Sequence, residues 1–121
     1  MQVFDYSTAH KSLVESVEVA RFEQYPATLG FPFKAMWYCI PPQDNSPPDR
    51  HPEYEFSIAV RGSATVDVNG VRTVVDQGSA FLLDSSEGHT VYNTSPDEAL
   101  LIFSVYWMPA TNSNRCSNDD R

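Results

Sequence analysis

Asparagine and glycine follow each other at positions 69 and 70, between two segments rich in β-branched residues. An Asn-Gly pair favours the two-residue turn of an antiparallel hairpin, because both residues tolerate positive backbone φ angles. The flanking segments, Ala64–Val68 and Val71–Val75, have the length and composition of β-strands. This hairpin fixes one antiparallel pairing and makes an all-β fold the first hypothesis.

Further strand-like segments recur at short intervals along the chain, with turn residues between them. None of them shows helical periodicity, and strands at this spacing are typical of a sandwich or a barrel. We therefore predict an antiparallel β-barrel. Besides the hairpin, the predicted strands are Val17–Phe22, Lys34–Ile40, Glu55–Arg61, Ala80–Leu83, Val91–Asn93 and Ala99–Trp107.

The length of the chain, 121 residues, suits one domain with its own core and is small for two. We expect the barrel to span about residues 15–108 and to follow an N-terminal arm at 1–14. Residues 110–121 are polar and short of apolar groups, so we expect them to be disordered. Residues 41–49 hold four prolines, which predicts an extended loop without regular structure.

The composition argues against several classes of partner. No run approaches the ~20 apolar residues of a membrane span, and the N-terminus lacks the basic and apolar regions of a signal peptide. The formal net charge is −8, whereas nucleic-acid binding requires a cationic surface. Two cysteines, Cys39 and Cys116, do not form a disulfide framework. We therefore expect a cytoplasmic protein with no nucleic acid and no membrane among its partners.

Potential metal ligands form two clusters, one on each side of the hairpin. His51 precedes Glu55 by four residues, and His89 precedes Asn93 by the same interval. A spacing of four along an extended strand places two side chains on one face. Imidazole and carboxylate groups bind divalent metals such as zinc. A single histidine is more commonly hydrogen-bonded or solvent-facing, so it is the joint pattern that favours a metal site.

The two clusters resemble the paired motifs of the cupin superfamily. The family's first motif runs G-x5-H-x-H-x3-4-E-x6-G, and its second runs G-x5-P-x-G-x2-H-x3-N. Here the first reads Asp49-Arg50-His51-Pro52-Glu53-Tyr54-Glu55 followed by Gly62, and the second runs from Gly78 through His89 to Asn93. The resemblance covers roughly residues 34–107. It implies a small single-domain cupin of the bacterial type, an antiparallel jelly-roll β-barrel.

The chain departs from the family pattern at several positions. Asp49 stands at the position of the first family histidine, and Asp84 and Ser86 replace the proline and glycine of the second motif. The first motif's upstream glycine is also missing.

The resemblance implies a ligand set of two histidines and a glutamate from the first motif and a histidine from the second. Three of these four are present, as His51, Glu55 and His89. Asp49 is either an additional oxygen ligand or a loop residue beside Pro48. Without Asp49, two histidines and one carboxylate with open positions suit Fe(II) or catalytic Zn as the divalent metal cofactor.

Three other residues are candidates for substrate contacts. Ser57 follows Glu55 on the same face of its predicted strand, where small side chains leave room for a ligand. Arg61 shares this face and is a candidate for an anionic substrate group, with a surface ion pair as the alternative. Tyr38 is one of the aromatic residues expected to form the walls of the barrel.

The opposite face of the same strand predicts an assembly. Phe56, Ile58 and Val60 alternate with the inward residues, and an aliphatic outer face requires a cover. A packed N-terminal arm or a second subunit would supply it. Together with the apolar run from Leu100 to Trp107, this face favours a homodimer.

Three functional hypotheses follow from these patterns. The first is a metal-dependent cupin-type enzyme in which the ion polarises a carbonyl or activates water or O2. For this hypothesis the resemblance favours a tailoring enzyme of secondary metabolism: a cyclase, isomerase, lyase or dioxygenase. The second is a non-catalytic module that binds a sugar or another effector, since residues 51–62 are also similar to effector domains of arabinose-regulator-type transcription factors. The third is a metal-free, sugar-epimerase-like cupin with a histidine as base.

Overall fold

The computed structural model describes residues 1–26 and 30–110, and this part of the chain forms ten β-strands and two single-turn 3-10 helices. The helices are Tyr6–Thr8 and Phe22–Gln24, and no helix among the described residues is long and apolar enough to cross a membrane. The strands are β1 (Ser12–Val14), β2 (Val17–Arg21), β3 (Lys34–Ile40), β4 (Asp44–Asn45), β5 (Tyr54–Arg61), β6 (Ala64–Val68), β7 (Val71–Val75), β8 (Ala80–Leu83), β9 (His89–Asn93) and β10 (Leu100–Trp107).

The strands form two antiparallel sheets that face each other across one core. The larger sheet has the order β1-β2-β3-β10-β5-β8, and the smaller has the order β4-β9-β6-β7. Ile40, Leu100 and Ile102 of the larger sheet are fully buried and belong to the same cluster as Val66 and Val91 of the smaller sheet. The prediction of an antiparallel all-β fold is therefore confirmed.

Several predicted boundaries differ from the structure. Three strands are shifted by one residue at one end: β2 ends at Arg21, β5 begins at Tyr54 and β10 begins at Leu100. The loop at 41–49 contains β4, because residues 44 and 45 lie between the prolines and keep the N–H groups that pairing with β9 requires. The N-terminal arm contributes β1, which pairs with β2. The strand predicted from Val91 already begins at His89, which pairs with Val68 of β6. The predicted disordered tail lies outside the described residues apart from residue 110.

Two turns explain the glycines of the sequence pattern. Asn69 and Gly70 have φ angles of 53° and 84°, as the two-residue turn between β6 and β7 requires. Gly62 has a φ of 88°, and a Cβ at this position would lie 3.2 Å from the carbonyl oxygen of Ala99. Only glycine fits this position without strain, because the backbone of the β9–β10 turn passes directly beside it.

A bulge in β5 changes the direction of the side chains at its end. Leu101 lies opposite Arg61, whereas its neighbour Ile102 lies opposite Ala59, so that Val60 is the extra residue. The alternation that places Glu55 inward therefore does not extend to Arg61, which is exposed.

Aromatic side chains of the N-terminal region cover part of the outer surface of the larger sheet. The ring of Phe22 lies 5.8 Å from that of Trp37 on β3 and 5.5 Å from that of Phe103 on β10. Phe4 in turn packs against Phe22 at 5.6 Å. Farther along the sheet, the outer face of β5 remains exposed.

Asn93, the last residue of the second motif, has a structural position. Its side chain is 3 % exposed, and its amide donates to the carbonyl oxygens of Ile40, Pro41 and Glu98 at 2.7–3.1 Å. Its Oδ1 accepts from the backbone N–H of Ser95. Asn93 therefore joins the end of β3 to the β9–β10 turn.

Candidate metal centre

The two histidines come together where the chain crosses between the sheets. His51 lies in the loop before β5, and His89 is the first residue of β9. Asp49 and His89 exchange two backbone hydrogen bonds of 2.9 Å, which pin the loop to β9. The two imidazole rings consequently lie 5.0 Å apart between centroids, with an angle of 71° between their planes.

Backbone carbonyls orient both imidazole rings. Nδ1 of His51 lies 3.1 Å from the carbonyl oxygen of Glu53, and Nδ1 of His89 lies 3.1 Å from that of Glu87. A carbonyl oxygen only accepts, so in each ring Nδ1 carries a proton and donates it. The neutral ring then has its lone pair on Nε2, the arrangement found in histidines that bind metals.

Asp49 belongs to the same cluster of donors. One ligand atom from each of Asp49, His51 and His89 lies within 4.8 Å of the other two. His89 is 9 % exposed, whereas Asp49 is at the surface. Asp49 is thus a loop residue whose carboxylate lies near the two histidines, and its role as a ligand stays a prediction.

Glu55 reaches the cluster through His51. Its Oε1 lies 3.1 Å from Nε2 of His51, and the residue as a whole is 4 % exposed. If His51 is neutral with its proton on Nδ1, the lone pair of its Nε2 faces a lone pair of Glu55 Oε1 across this contact. Such an arrangement requires a positive charge, supplied either by a second proton or by a cation bound between the two groups. The donor set therefore fits a divalent metal.

Two serine hydroxyl groups lie beside the other oxygen of Glu55. Ser57 and Ser104 are direct partners across β5 and β10, and their Oγ atoms lie 3.2 and 3.0 Å from Oε2. Their own oxygens lie 2.6 Å apart. Ser57 is fully buried behind Glu55 and does not line the cavity described below, so its contacts position the carboxylate.

Tyr38 contacts the same two serine hydroxyls from β3. Burial raises the pKa of its phenol well above the usual 10, and the charge of Glu55 raises it further. Hydrogen bonds with Ser104 and Ser57 offset part of this rise. Tyr38 is therefore neutral at ordinary pH and presents a polar edge to the interior of the barrel.

A cavity of 280 Å³ opens beside these groups. Glu55, His89, Asp49 and Tyr38 contribute its polar lining, and most of its remaining walls are aliphatic. The aliphatic lining residues are Val14, Val17, Val19, Met36 and Val91. The volume is slightly below the roughly 300–1,000 Å³ of most small-molecule sites, so a ligand would be small.

The cation of this cavity is Arg21, which the sequence pattern did not indicate. Val17, Val19 and Arg21 alternate on the inner face of β2, and all three line the cavity. Arg61, the predicted candidate, is not among the lining residues, because the bulge turns it outward. The alternation along β2 would have identified Arg21 only if the inner face of this strand had been known.

The comparisons with known proteins agree with this architecture. The model of the cupin domain matches residues 36–106, so the chain belongs to the cupin family. No curated protein matches the chain at a significant level.

Solved structures of similar fold come from several bacteria. A cupin 2 conserved barrel domain protein from Salinispora arenicola is 26% identical, with a TM-score of 0.77 and 88% of each chain covered. A predicted oxalate decarboxylase from Thermotoga maritima is 19% identical, with a TM-score of 0.73, covering 89% of this chain and 100% of the other. The polyketide cyclase RemF from Streptomyces resistomycificus is 17% identical, with a TM-score of 0.73 over 88% of this chain and 78% of its own. At identities below 25%, the last two similarities concern the fold alone.

Proposed function

We propose that this cupin is a metal-dependent enzyme acting on a small organic molecule, with His51, Glu55, His89 and Asp49 as its metal-binding residues. The observation that carries the proposal is the contact of 3.1 Å between Glu55 Oε1 and His51 Nε2, in a ring whose Nδ1 already donates to a carbonyl. Asp49 and His89 each place one donor atom within 4.8 Å of a ring nitrogen of His51. Zn and Fe(II) are the metals that such a set of imidazoles and carboxylates suits best.

The metal and the residues around it would have different roles in the reaction. A bound divalent metal would supply Lewis acidity, to polarise a carbonyl or to activate water or O2. Glu55 is positioned by two serine hydroxyls beside the proposed metal. Tyr38 remains protonated and lines the same cavity. The aliphatic walls exclude water and strengthen these electrostatic interactions.

Within this class we propose a tailoring reaction of secondary metabolism, by a cyclase, isomerase, lyase or dioxygenase. The support is the family membership and the similarity of fold to a polyketide cyclase. Because fold alone does not determine the reaction, the cavity is the better guide to the substrate. Location in the cytoplasm remains a prediction from the sequence.

One observation favours a second candidate, a non-catalytic small-molecule binding module. A doubly protonated His51 would satisfy Glu55 without any metal, since the two groups then form an ion pair of 3.1 Å. The aliphatic cavity would still accept a ligand. Elemental analysis of protein purified without a metal-affinity tag separates the two. Stoichiometric metal supports the enzyme, and metal-free protein that takes up no added Zn or Fe(II) supports the binding module.

We also propose that the protein is a homodimer. Phe56, Ile58 and Val60 on the outer face of β5 are 36–42% exposed, and the adjacent Leu82 on β8 is 55% exposed. An exposed apolar face of this kind is most commonly buried in the interface of a twofold-symmetric homodimer. Sedimentation equilibrium at micromolar concentrations should give twice the chain mass. A Phe56→Glu, Ile58→Glu variant should give the mass of one chain, and wild-type protein at monomer mass would exclude the dimer.

A further inference from the structure

Arg21 provides positive charge to a cavity whose walls are otherwise mostly apolar. It follows Val17 and Val19 on the inner face of β2 and lies opposite Met36 of β3. All four side chains line the same cavity. Arg21 as a residue is exposed, whereas Val17 and Val19 are buried.

The charge of Arg21 has no acidic partner within the described residues. The ion pairs there join His51 to Glu53 and Glu55, and Arg72 to Asp67. Burial raises the pKa of the Tyr106 phenol and the charge of Glu23 raises it further, whereas the nearby positive charge of Arg21 lowers it in part. The net charge of the chain is −8, so a cation that lines a cavity is a local exception to an acidic surface.

The distribution of charge across the cavity is therefore polarised. Arg21 lies on β2, whereas Glu55 lies on β5, three strand spacings away in the order β2-β3-β10-β5. At about 4.8 Å per spacing, the two backbones are separated by roughly 14 Å along the sheet. Aliphatic side chains line the space between them. A ligand that satisfies both ends has an anionic group, an apolar body and a second polar end.

We propose that Arg21 binds the carboxylate of the substrate, and that the substrate is a small, mainly aliphatic carboxylic acid. Guanidinium groups bind carboxylates through two parallel hydrogen bonds, a geometry that lysine cannot reproduce. The second polar end of this acid would reach His89 and Glu55, and this part of the inference rests on the proposed function.

The test uses hexanoate and its uncharged analogue hexanamide as probes. Both are titrated by NMR into 15N-labelled wild-type protein and into Arg21→Gln, Arg21→Lys and Arg61→Gln variants. Arg61→Gln is the matched control, since it removes the same charge from an exposed arginine outside the cavity. All titrations are done in chelator, so that the carboxylate has no metal to bind, and zinc affinity is measured separately for each variant.

We expect hexanoate to shift the amide signals of Val19, Met36 and Val91 and to bind at least about tenfold more tightly than hexanamide. Arg21→Gln should abolish this preference, Arg21→Lys should restore it in part, and Arg61→Gln should behave as wild type. Equal binding of hexanoate by wild type and Arg21→Gln, equal binding of the two probes, or no shift at the cavity residues would overturn the proposal. Failure of the metal hypothesis would appear only in the zinc titrations, in which Arg21→Gln should match wild type.

Discussion

Asp49 and His89 exchange two backbone hydrogen bonds of 2.9 Å, while their side chains belong to one cluster of metal donors. The bridge joins the loop of the first motif to the first residue of β9. The positions of these two donors relative to each other are thus set by the backbone, and replacing either side chain leaves the bridge in place.

Replacement of Asp49 by alanine should therefore affect metal binding without affecting the fold. We expect the zinc affinity of Asp49→Ala to fall about tenfold or more, because one oxygen donor is lost. Its free energy of unfolding should stay within about 0.5 kcal/mol of wild type, since the side chain is exposed. Competition titration with a chromophoric chelator measures the affinity. Asp97→Ala, also at the surface, is the control, and normal zinc binding by Asp49→Ala would show that Asp49 is not a metal ligand.

The hydroxyl of Ser104 holds Glu55 in place from the neighbouring strand. Ser104→Ala removes a donor from a buried carboxylate, so we expect a loss of about 1–3 kcal/mol in the free energy of unfolding. Zinc affinity should fall about tenfold, as when other groups that orient metal ligands are removed. Urea denaturation and zinc titration provide the two measurements. Ser63→Ala, at an exposed serine, should change neither quantity. If Ser104→Ala keeps the stability and the zinc affinity of wild type, the hydroxyl of Ser104 is not needed to position Glu55.

Asn93→Asp tests the structural role of the second motif's last residue. The substitution keeps the size of the side chain but places a carboxylate against the carbonyl oxygens of Ile40, Pro41 and Glu98. We expect the free energy of unfolding to fall by about 2–4 kcal/mol. Chemical denaturation measures this loss, and a stability equal to wild type would mean that the junction with β3 contributes little.

Stability should also decrease at high pH because of Tyr38. The pKa of this buried phenol is raised in the folded state, so above about 10, the ordinary value, the unfolded chain releases a proton that the folded chain keeps. The stabilisation is complete below this pH and is lost as the pH rises toward the folded pKa. Urea denaturation at pH 8 and pH 11 should show a smaller decrease for Tyr38→Phe than for wild type. Identical decreases would contradict a raised pKa.

The sequence predicted those parts of the molecule that depend on local patterns. The Asn69-Gly70 turn and the alternation of the strands indicated the antiparallel β fold, and the motif resemblance indicated the family. Arg61 shows the limit of such reasoning: one bulge at Val60 interrupts the alternation that relates it to Glu55.

The remaining features depend on pairings between distant strands. Ser104 is separated from Ser57 by 47 residues, and only the register of β10 on β5 brings their hydroxyls together. Arg21 likewise reaches the cavity through the position of β2 in the larger sheet. Neither register is encoded in a short motif, so neither contact could be read from the sequence.

The metal content of protein purified without an affinity tag tests the central proposal most directly. After zinc or Fe(II) loading and dialysis, wild type should hold about one ion per chain, as should His10→Ala, whose histidine lies outside the motifs. His51→Ala and His89→Ala should lose this ion and remain folded, because the hydrophobic core does not depend on it. Wild-type protein that takes up no Zn, Fe, Ni, Mn or Cu, or that binds the same amount as both histidine variants, would contradict the metal centre.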